Sequence, residues 1–358
     1  QGVAGCAKSR KTFCDSLADK QGQGGKVMAK IPVAVAETLL SQNVQQYLKL
    51  WARGKVRDTY RLLDPTVLLP VATDRISIFD FVLNALVPGK GKVLKDLTVF
   101  WLTTVLKGLP NHLLAHGADI DKCLPSPLRG NPELQERAPV VRRMEIPPFE
   151  FIFRMHLGGA VYEDYLKTGI VAGQSLPPGI PKWGRLDQPL FTPSTKAEEG
   201  HDKNIPVGEF YRRMKGLGYA EAATQATVEL FRHAYVKAYG YAKQRGVLIL
   251  DTKFEGFLGI ADEVLTPDSS RFTTEDDWEN SQRNNRDPVF FDKEFVRKWG
   301  RKILTRFFAE NGRQIVGING LQPTNPEHLA FVHSLVVPPE IIAETSHRYK
   351  EIYRLLVQ

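Results

Sequence analysis

The segment VLILDTKFE, residues 247–255, predicts a buried strand that ends in charged residues. Its first four residues are apolar, as in a buried strand, and side chains alternate between the two faces of a strand. Asp251, Lys253 and Glu255 therefore share one face. On that face, two carboxylates could bind Mg²⁺, and the ammonium group could bind a phosphate or a carboxylate. The alternative is a strand edge with mixed charges in solvent.

More carboxylate and hydroxyl groups follow this strand closely. Asp262-Glu263 returns to the same region if residues 256–259 form a turn. The next group is Asp268-Ser269-Ser270-Arg271, in which the hydroxyls and the guanidinium suit a phosphate or a carboxylate. Its alternative is a simple turn after Pro267.

A basic hairpin begins near residue 54. The runs 55–62 and 67–73 have strand character and flank Asp64-Pro65, a dipeptide that favours a turn. The string Gly54-Lys55-Val56-Arg57 lets the backbone approach a phosphate and supplies two cations, so it predicts a flap over a nucleotide triphosphate. A solvated basic turn is the alternative. The absence of a Walker A pattern and of a suitably placed G-x-G-x-x-G disfavours P-loop and Rossmann folds.

The rest of the chain combines helical patterns with irregular segments. Residues 218–245 give the strongest helical pattern, and residues 138–154 contain two short strand candidates flanked by arginines. Five prolines between 173 and 201 predict a long loop, and residues 192–202 concentrate the hydroxyls and charges of a substrate loop. Further helices are expected at 36–51, 93–106, 292–310 and 339–356.

Composition indicates a globular protein with anionic partners. The 358 residues are 42% hydrophobic and 25% charged, and no run approaches the roughly 18 apolar residues of a membrane span. Lys and Arg outnumber Asp and Glu by 48 to 40, which favours anionic partners. Residues 1–30 predict a flexible extension, either a plain tail or a transit peptide. The cysteines lack the spacing of a disulfide framework or zinc site and fit a reducing compartment: Cys6, Cys14 and Cys123.

Eight segments, in this order along the chain, resemble the SAICAR synthetase family. They are GKVRDTY (54–60), VATDRISIFDFVL (71–83), PGKGKVL (88–94), VVRRME (140–145), FTPSTKAEEGHDKNI (191–205), ILDTKFE (249–255), DEVLTPDSSRF (262–272) and SHRYKEIYRLL (346–356). The resemblance covers residues 52–357.

The resemblance implies an ATP- and Mg²⁺-dependent ligase of purine biosynthesis. Such enzymes join L-aspartate to 5-aminoimidazole-4-carboxy ribonucleotide (CAIR) and release ADP and phosphate, through an acyl phosphate. The implied fold is α+β with two lobes: an antiparallel-sheet nucleotide lobe at 31–145 and a larger α/β lobe at 146–358, with ATP in the cleft between them. The larger lobe would carry the substrate and metal site, with the C-terminal helices packing back.

The family's site residues carry over to matching positions in this sequence. The catalytic set is Lys253, Arg271 and Asp251. ATP contacts fall on Gly54, Lys55, Arg57, Arg143, Met144, Glu145 and Lys196. Substrate contacts fall on Asp74, Arg75, Ser77, Asp80, Arg154, Asp202, Ser269, Ser270 and Arg271. The resemblance assigns Mg²⁺ to Glu255 and Asp262.

The chain departs from the family pattern beside the expected CAIR phosphate. Where the family commonly reads Arg-Gly-Tyr-Leu-Thr-Gly-Ser, residues 154–160 read RMHLGGA. Ala160 therefore lacks the serine hydroxyl, a loss of about 1 kcal/mol for one neutral hydrogen bond, and His156 would compensate if it were protonated. Thr273 also stands where a tryptophan is expected.

These departures keep two other functions open. One is a related ATP-dependent ligase with an altered acceptor. The other is a non-catalytic protein that binds nucleotide or nucleic acid. Nucleic acid is disfavoured because the basic residues are interspersed with acidic ones. We expect small-molecule partners, no nucleic acid or membrane, a monomer or homo-oligomer, and a cytoplasmic location.

Overall fold

The computed structural model describes residues 29–36, 38–196 and 203–358. Its strands are β1 (Leu50–Arg53), β2 (Arg57–Arg61), β3 (Val67–Ala72), β4 (Arg75–Ile78), β5 (Phe81–Leu86), β6 (Leu113–Ala115), β7 (Val140–Arg142), β8 (Phe149–Leu157), β9 (Ile170–Val171), β10 (Gln174–Ser175), β11 (Gly184–Phe191), β12 (Ser194–Thr195), β13 (Val247–Phe254), β14 (Ser270–Thr274), β15 (Leu304–Phe308) and β16 (Gln314–Val316).

The α-helices lie between these strands and at the C-terminal end. They are α1 (Val33–Ala36), α2 (Leu39–Tyr47), α3 (Lys90–Phe100), α4 (Pro132–Arg137), α5 (Ala160–Thr168), α6 (Val207–Gly216), α7 (Glu221–Lys243), α8 (Glu275–Arg283), α9 (Glu294–Gly300), α10 (Pro326–Ser334) and α11 (Pro339–Val357). A π-helical turn, Trp101–Val105, extends α3. Among the described residues, every helix is too short or too polar to cross a membrane.

The first sheet is the antiparallel array β1-β2-β3-β7-β6. One of its faces is apolar and packs against α2, α4 and the short helical turns between β6 and α4. β2 and β3 form the hairpin predicted around Asp64-Pro65, with Tyr60 opposite Leu69. The turn at Gly54–Arg57 joins β1 to β2 and lies at the end of β2 opposite the Asp64-Pro65 turn.

The second sheet runs β11-β8-β13-β14, with β12 also pairing with β8. The long helix α7 packs on it and contributes Phe231 and Tyr235 to the largest apolar core, where α3 and α11 also meet. In the pairing of β13 with β8, Asp251 lies opposite Arg154. The sheets, both antiparallel, and their covering helices confirm the predicted α+β fold.

A third cluster joins the C-terminal segment to the hairpin β4–β5. Apolar residues of α9, α10 and the hairpin β15–β16 surround Ile76, Ile78 and Phe81. The C-terminal segment thus returns to the part of the chain that carries the TDRISIFD string. Ser77 and Asp80 therefore lie on a hairpin that packs against the C-terminal segment.

Three elements differ from the sequence expectations. The helix expected at 36–51 ends at Tyr47, and Trp51 lies in β1, because pairing with β2 continues the first sheet. The helix expected at 292–310 ends at Gly300, and the β-branched and aromatic residues that follow it form β15. The long loop expected at 173–201 contains β11, an edge strand whose bulged register accommodates Pro189.

A buried ion pair ties α3 to the chain before β14. Lys90 is fully buried, and its Nζ donates to Oδ2 of Asp268 at 2.6 Å, while the hydroxyl of Tyr349 donates to Oδ1. Burial alone would raise the pKa of Asp268, but the charges of Lys90 and Lys293 and the hydrogen bonds from Lys90 and Tyr349 together outweigh burial and lower that pKa. The Asp268 carboxylate is therefore ionised and held from two helices.

We expect Lys90→Met to lower the free energy of unfolding by about 3 kcal/mol at pH 7, because it leaves Asp268 buried without its cation. Urea denaturation measures this. Since the pKa of Asp268 is lowered by folding, its contribution is present above the unfolded pKa of about 4 and is lost as the pH falls through the folded value. The difference between wild type and variant should therefore shrink in acid.

Lys122→Met provides the control, because Lys122 and Asp119 form an exposed pair. Its unfolding curve should superimpose on that of the wild type. Equal curves for Lys90→Met and the wild type at pH 7 would show that the buried pair adds nothing to stability.

Candidate active site

The face of β13 that carries charged residues is the base of the candidate site. Side chains alternate along the strand, so Lys253 and Glu255 project together, with Lys253 Nζ 3.6 Å from a Glu255 oxygen. Lys253 Nζ also donates to Glu150 on β8 at 2.7 Å. One ammonium group is therefore shared by two carboxylates from neighbouring strands.

Glu150 is a site residue that sequence reasoning missed. It is 8% exposed and stands four residues before Arg154 on β8, so the two side chains share a strand face. That alternation was visible in the string FEFIFR. Burial alone would lower the pKa of Lys253, but Glu150 and Glu255 outweigh burial and raise it well above its usual value. Lys253 therefore stays cationic.

Two ion pairs connect the flap (residues 54–57) and Lys196, which follows β12, to two carboxylates of the site. Arg57, the first residue of β2, donates to Asp262, and Lys196 donates to Glu255. Burial works against the ionised form of Asp262, but the charges of Arg57, Lys196 and Lys253 and the hydrogen bond from Arg57 together outweigh burial and lower the pKa of Asp262. Burial and the charge of Asp268 raise the pKa of the neighbouring Glu263. The pKa values of the two adjacent carboxyl groups, Asp262 and Glu263, are thus shifted in opposite directions.

The donor set fits a magnesium ion that is shared with a nucleotide. Glu255 pairs with Ala261 in an isolated bridge, which brings Asp262 back beside the end of β13. Within the described ranges, no three His, Cys, Asp or Glu side chains gather as a metal cage. Mg²⁺ is usually held by one or two carboxylates plus substrate phosphates. Glu255 and Asp262 supply that number of carboxylates.

A second cluster of charged side chains surrounds Asp251, which precedes Lys253 on β13. Asp251 accepts from Arg154 Nη1 at 2.9 Å and from Arg271 on β14. Arg154 Nε also donates to the Thr192 hydroxyl at 2.8 Å. Two guanidinium groups thus share the Asp251 carboxylate, and both can also attract an anionic substrate. Asp251, predicted as catalytic, holds both arginines in place.

The start of α5 lies beside Arg271. Gly159, with φ of +69°, precedes Ala160, and a Cβ built on it would be 3.6 Å from the Arg271 guanidinium nitrogens. Free N–H groups at a helix start and a neighbouring cation favour an anion. Gly158 has no room for a side chain, because a Cβ there would overlap the indole of Trp183.

His156 does not compensate for the missing serine. It is fully buried, with Nδ1 3.1 Å from the Trp183 carbonyl oxygen and Nε2 3.1 Å from the Tyr239 hydroxyl. Burial lowers the pKa of His156 to about 4. The expectation that a protonated His156 supplies charge is therefore wrong at neutral pH.

The prediction that Arg75 lines the cleft is also wrong. Arg75 is 1% exposed and forms a bidentate ion pair with Asp58. Its remaining N–H groups donate to the carbonyl oxygens of Gly54 and Lys55, both at 3.1 Å. The guanidinium thus supports the flap from below.

Other residues of the same string have structural partners. Asp74 accepts from the amides of Gly89 and Gly91 and forms a bidentate pair with Arg137, so it fixes the start of α3. Ser77 is buried in β4. Asp80, at the turn of the hairpin, pairs with Lys55 and so links this string to the flap.

The remaining predicted contacts fall in three places. Residues 143–145 follow β7, where the Met144 side chain packs on Gly259 and the Arg143 guanidinium lies 5.0 Å from the Trp51 ring. Ser269 and Ser270 hydrogen-bond within the protein, to Thr266 and Thr252. Asp202 lies outside the described residues.

Comparison with known proteins matches the same region. A family model described as SAICAR synthetase matches residues 50–313. A phosphoribosylaminoimidazole-succinocarboxamide synthase from Maridesulfovibrio salexigens is 38% identical over 318 residues, 87% of this chain and 94% of that protein. The protein of the same name from Pichia angusta is 36% identical over 331 residues, 89% and 98% of the two chains.

A solved structure of the same family is also similar to this chain. It is described as SAICAR-synthase from Saccharomyces cerevisiae complexed with SAICAR, and it is 32% identical to this chain. The superposition covers 86% of this chain and 94% of the other, with a TM-score of 0.67. The similarity therefore extends over both sheets and the residues between them.

We expect His156→Gln to flatten the acid dependence of stability. The unfolded imidazole takes up a proton near pH 6.5, whereas the folded one does so only near 4, so wild-type stability falls between these values. The loss due to His156 approaches about 3 kcal/mol. Urea denaturation at several pH values between 7 and 4 measures it.

Part of the slope should remain in the variant, because burial also lowers the pKa of His112 to about 4. His116→Gln serves as the control, since His116 is exposed. Parallel slopes for wild type and His156→Gln would contradict the expectation.

Proposed function

Since this chain belongs to the SAICAR synthetase family and is an ATP-dependent ligase that joins L-aspartate to CAIR in purine biosynthesis, we propose that its reactants meet around Lys253. The observation that carries this proposal is the convergence of Lys253, Glu255 and Asp262. The three come from β13 and the loop after it, and they lie beside the flap residue Arg57. Such a site places cations and metal-binding carboxylates at one point, as phosphoryl transfer requires.

We propose that the flap end of the site binds the triphosphate. Lys55, Arg57 and Lys196 now pair with carboxylates, and phosphate oxygens would compete for these cations. Asp262 and Glu255 would then hold Mg²⁺, which neutralises charge that develops on the transferring phosphoryl group. Residues 143–145, where Met144 packs on Gly259, would contact the purine base.

CAIR would occupy the opposite end of the site. Its ribose phosphate suits the free amides at the start of α5 together with Arg271, and Arg154 adds positive charge behind them. Its carboxylate would then point toward Lys253. In this arrangement, Asp251 keeps both arginines aligned without neutralising them completely.

An amine does not readily displace oxide from a carboxylate, so the CAIR carboxylate needs activation. An oxygen of that carboxylate attacks the γ-phosphorus, ADP leaves, and an acyl phosphate forms. The aspartate amine then attacks the acyl carbon, phosphate leaves, and the nitrogen loses a proton. Lys253 would stabilise the negative charge on the carboxylate oxygens in both steps, held in position by Glu150.

We further propose that small molecules are the chain's physiological partners and the cytoplasm its location. The charge of the site suits nucleotides and amino acids, and the cations are interspersed with carboxylates, unlike a nucleic-acid surface. Cys123 is exposed and unpaired among the described residues, which fits a reducing environment, whereas Cys6 and Cys14 lie outside them.

We expect ADP release by the wild type to require both CAIR and L-aspartate. Lys253→Met should lower kcat by at least about 100-fold, because a cation that stabilises the transition state is removed. A coupled ADP assay measures both effects. Lys237→Met, which changes an exposed lysine of α7, should keep wild-type activity. Activity of Lys253→Met within a few-fold of wild type would remove Lys253 from the mechanism.

We expect Ala160→Ser to lower the KM for CAIR by about three- to ten-fold, the value of one added hydrogen bond to a phosphate. The KM for ATP should not change, because the start of α5 lies beside Arg271 and not among the flap ion pairs proposed to bind the triphosphate. Ala160→Gly changes the same position without adding a hydroxyl and should not tighten CAIR. Steady-state kinetics distinguish the two variants. A serine variant that binds CAIR no better than the wild type would place the phosphate elsewhere.

A further inference from the structure

The loop between β13 and β14 has an unusual backbone. Three of its non-glycine residues have φ in the left-handed region: Leu258 (+54°), Asp262 (+60°) and Leu265 (+52°). Side chains with a Cβ disfavour this region, so such a loop persists only where its surroundings determine it. Asp262 is one of these three residues, so the contacts that fix the loop backbone also set the direction of the Asp262 carboxylate.

Two side chains of one helix face hold the loop just after Asp262. Thr98 Oγ1 accepts from the Val264 amide at 3.2 Å, and Trp101 Nε1 donates to the Leu265 carbonyl oxygen at 3.0 Å. Thr98 is 5% exposed and Trp101 is fully buried. Residues three apart share a helix face, so α3 and its π-helical turn present a hydroxyl and an indole N–H side by side.

The earlier part of the loop has its own partners. The Leu258 amide donates to Thr227 Oγ1 on α7 at 3.1 Å. The amide of Ile260 donates to the Pro110 carbonyl oxygen at 2.9 Å, and its carbonyl oxygen accepts from the His112 amide. The loop is thus fixed on both sides of Asp262 by groups that belong to other elements.

We propose that Thr98 and Trp101 are positioning residues of the ligase reaction, which hold residues 264–265 so that the Asp262 carboxylate points at the magnesium–nucleotide complex. This inference rests on the metal role proposed for Asp262. Neither residue touches the reacting atoms: each acts through the backbone of the loop.

The ion pair of Asp262 explains why the loop backbone needs hydrogen bonds from α3. Its Oδ1 pairs with Arg57 here, and a metal ion bound by the same carboxylate would compete with that guanidinium and weaken the pair. If the ion pair alone determined the loop, breaking it would release the backbone. Hydrogen bonds from α3 keep the backbone of residues 264–265 in place, so only the Asp262 side chain has to reorient.

Thr98→Val and Trp101→Phe test the inference, since both keep most of the packing volume and remove one hydrogen bond. The first readout is the binding of Mn²⁺, as a probe for Mg²⁺, to the enzyme–ADP complex by electron paramagnetic resonance. We expect about three- to ten-fold weaker Mn²⁺ binding for each variant, the equivalent of one net hydrogen bond. The second readout is the Mg²⁺ concentration for half-maximal ligase rate, which should rise by a similar factor while the KM for CAIR is unchanged.

Thr98→Ser retains the hydroxyl and should restore wild-type Mn²⁺ binding. Thr224→Val is the matched control, because Thr224 is a buried helix threonine whose hydroxyl donates to the carbonyl oxygen of Ala220, the residue that precedes α7. It should leave Mn²⁺ binding unchanged even if it lowers the unfolding temperature. Asp262→Asn should weaken Mn²⁺ binding more than either positioning variant.

Three results would overturn the inference. The first is wild-type Mn²⁺ binding in both Thr98→Val and Trp101→Phe. The second is equal weakening in Thr224→Val, which would indicate a general loss of stability. The third is unchanged Mn²⁺ binding in Asp262→Asn, and in that case the proposed metal site itself is wrong. The Asp262→Asn result therefore separates failure of the positioning role from failure of the proposed function.

Discussion

The pairing of β13 with β8 is the constraint on which the rest of the site depends. Their antiparallel register sets Asp251 opposite Arg154 and Lys253 opposite Ile152, so Glu150 reaches Lys253 from the neighbouring strand. A slip of one residue would turn every one of these side chains to the other face, into the apolar core under α7. The aromatic residues on that other face of β8 fix the register, because they have no other place to pack.

Much of the site's charge is already balanced in this structure. Lys55, Arg57 and Lys196 each have a carboxylate partner: Asp80, Asp262 and Glu255 respectively. In the function proposed above, ligand binding exchanges these ion pairs for others, which limits the desolvation cost. The Arg75 guanidinium lies outside this exchange, since it bonds the backbone of Gly54 and Lys55 and keeps the flap in shape while its side chains change partners.

The local patterns that were read correctly are those in which one strong signal dominated. The apolar run before Asp251, the period-2 alternation after it and the Asp64-Pro65 turn each determined a strand or hairpin, and the eight matching segments indicated the family. The failures have physical causes. Helical periodicity around Trp51 was overridden by sheet pairing, and the prolines near Pro189 concealed an edge strand. The burial of Arg75 and His156 depends on contacts with residues distant in sequence, which no local pattern contains. Glu150 belongs to the alternation of β8, but the sequence alone does not show that this strand pairs with the one that carries Lys253.

The contact between Gly158 and Trp183 makes these two positions epistatic. Any side chain at 158 overlaps the indole, and the indole is anchored by its N–H to Asp287 at 2.9 Å and by its ring to Phe290. A mutational path that introduces threonine at position 158 must first replace Trp183 with a smaller residue. The intermediate on that path would have a void beside Arg271. The two sites are therefore expected to change together among descendants of this sequence, and a library that varies only one of them would miss the functional combinations.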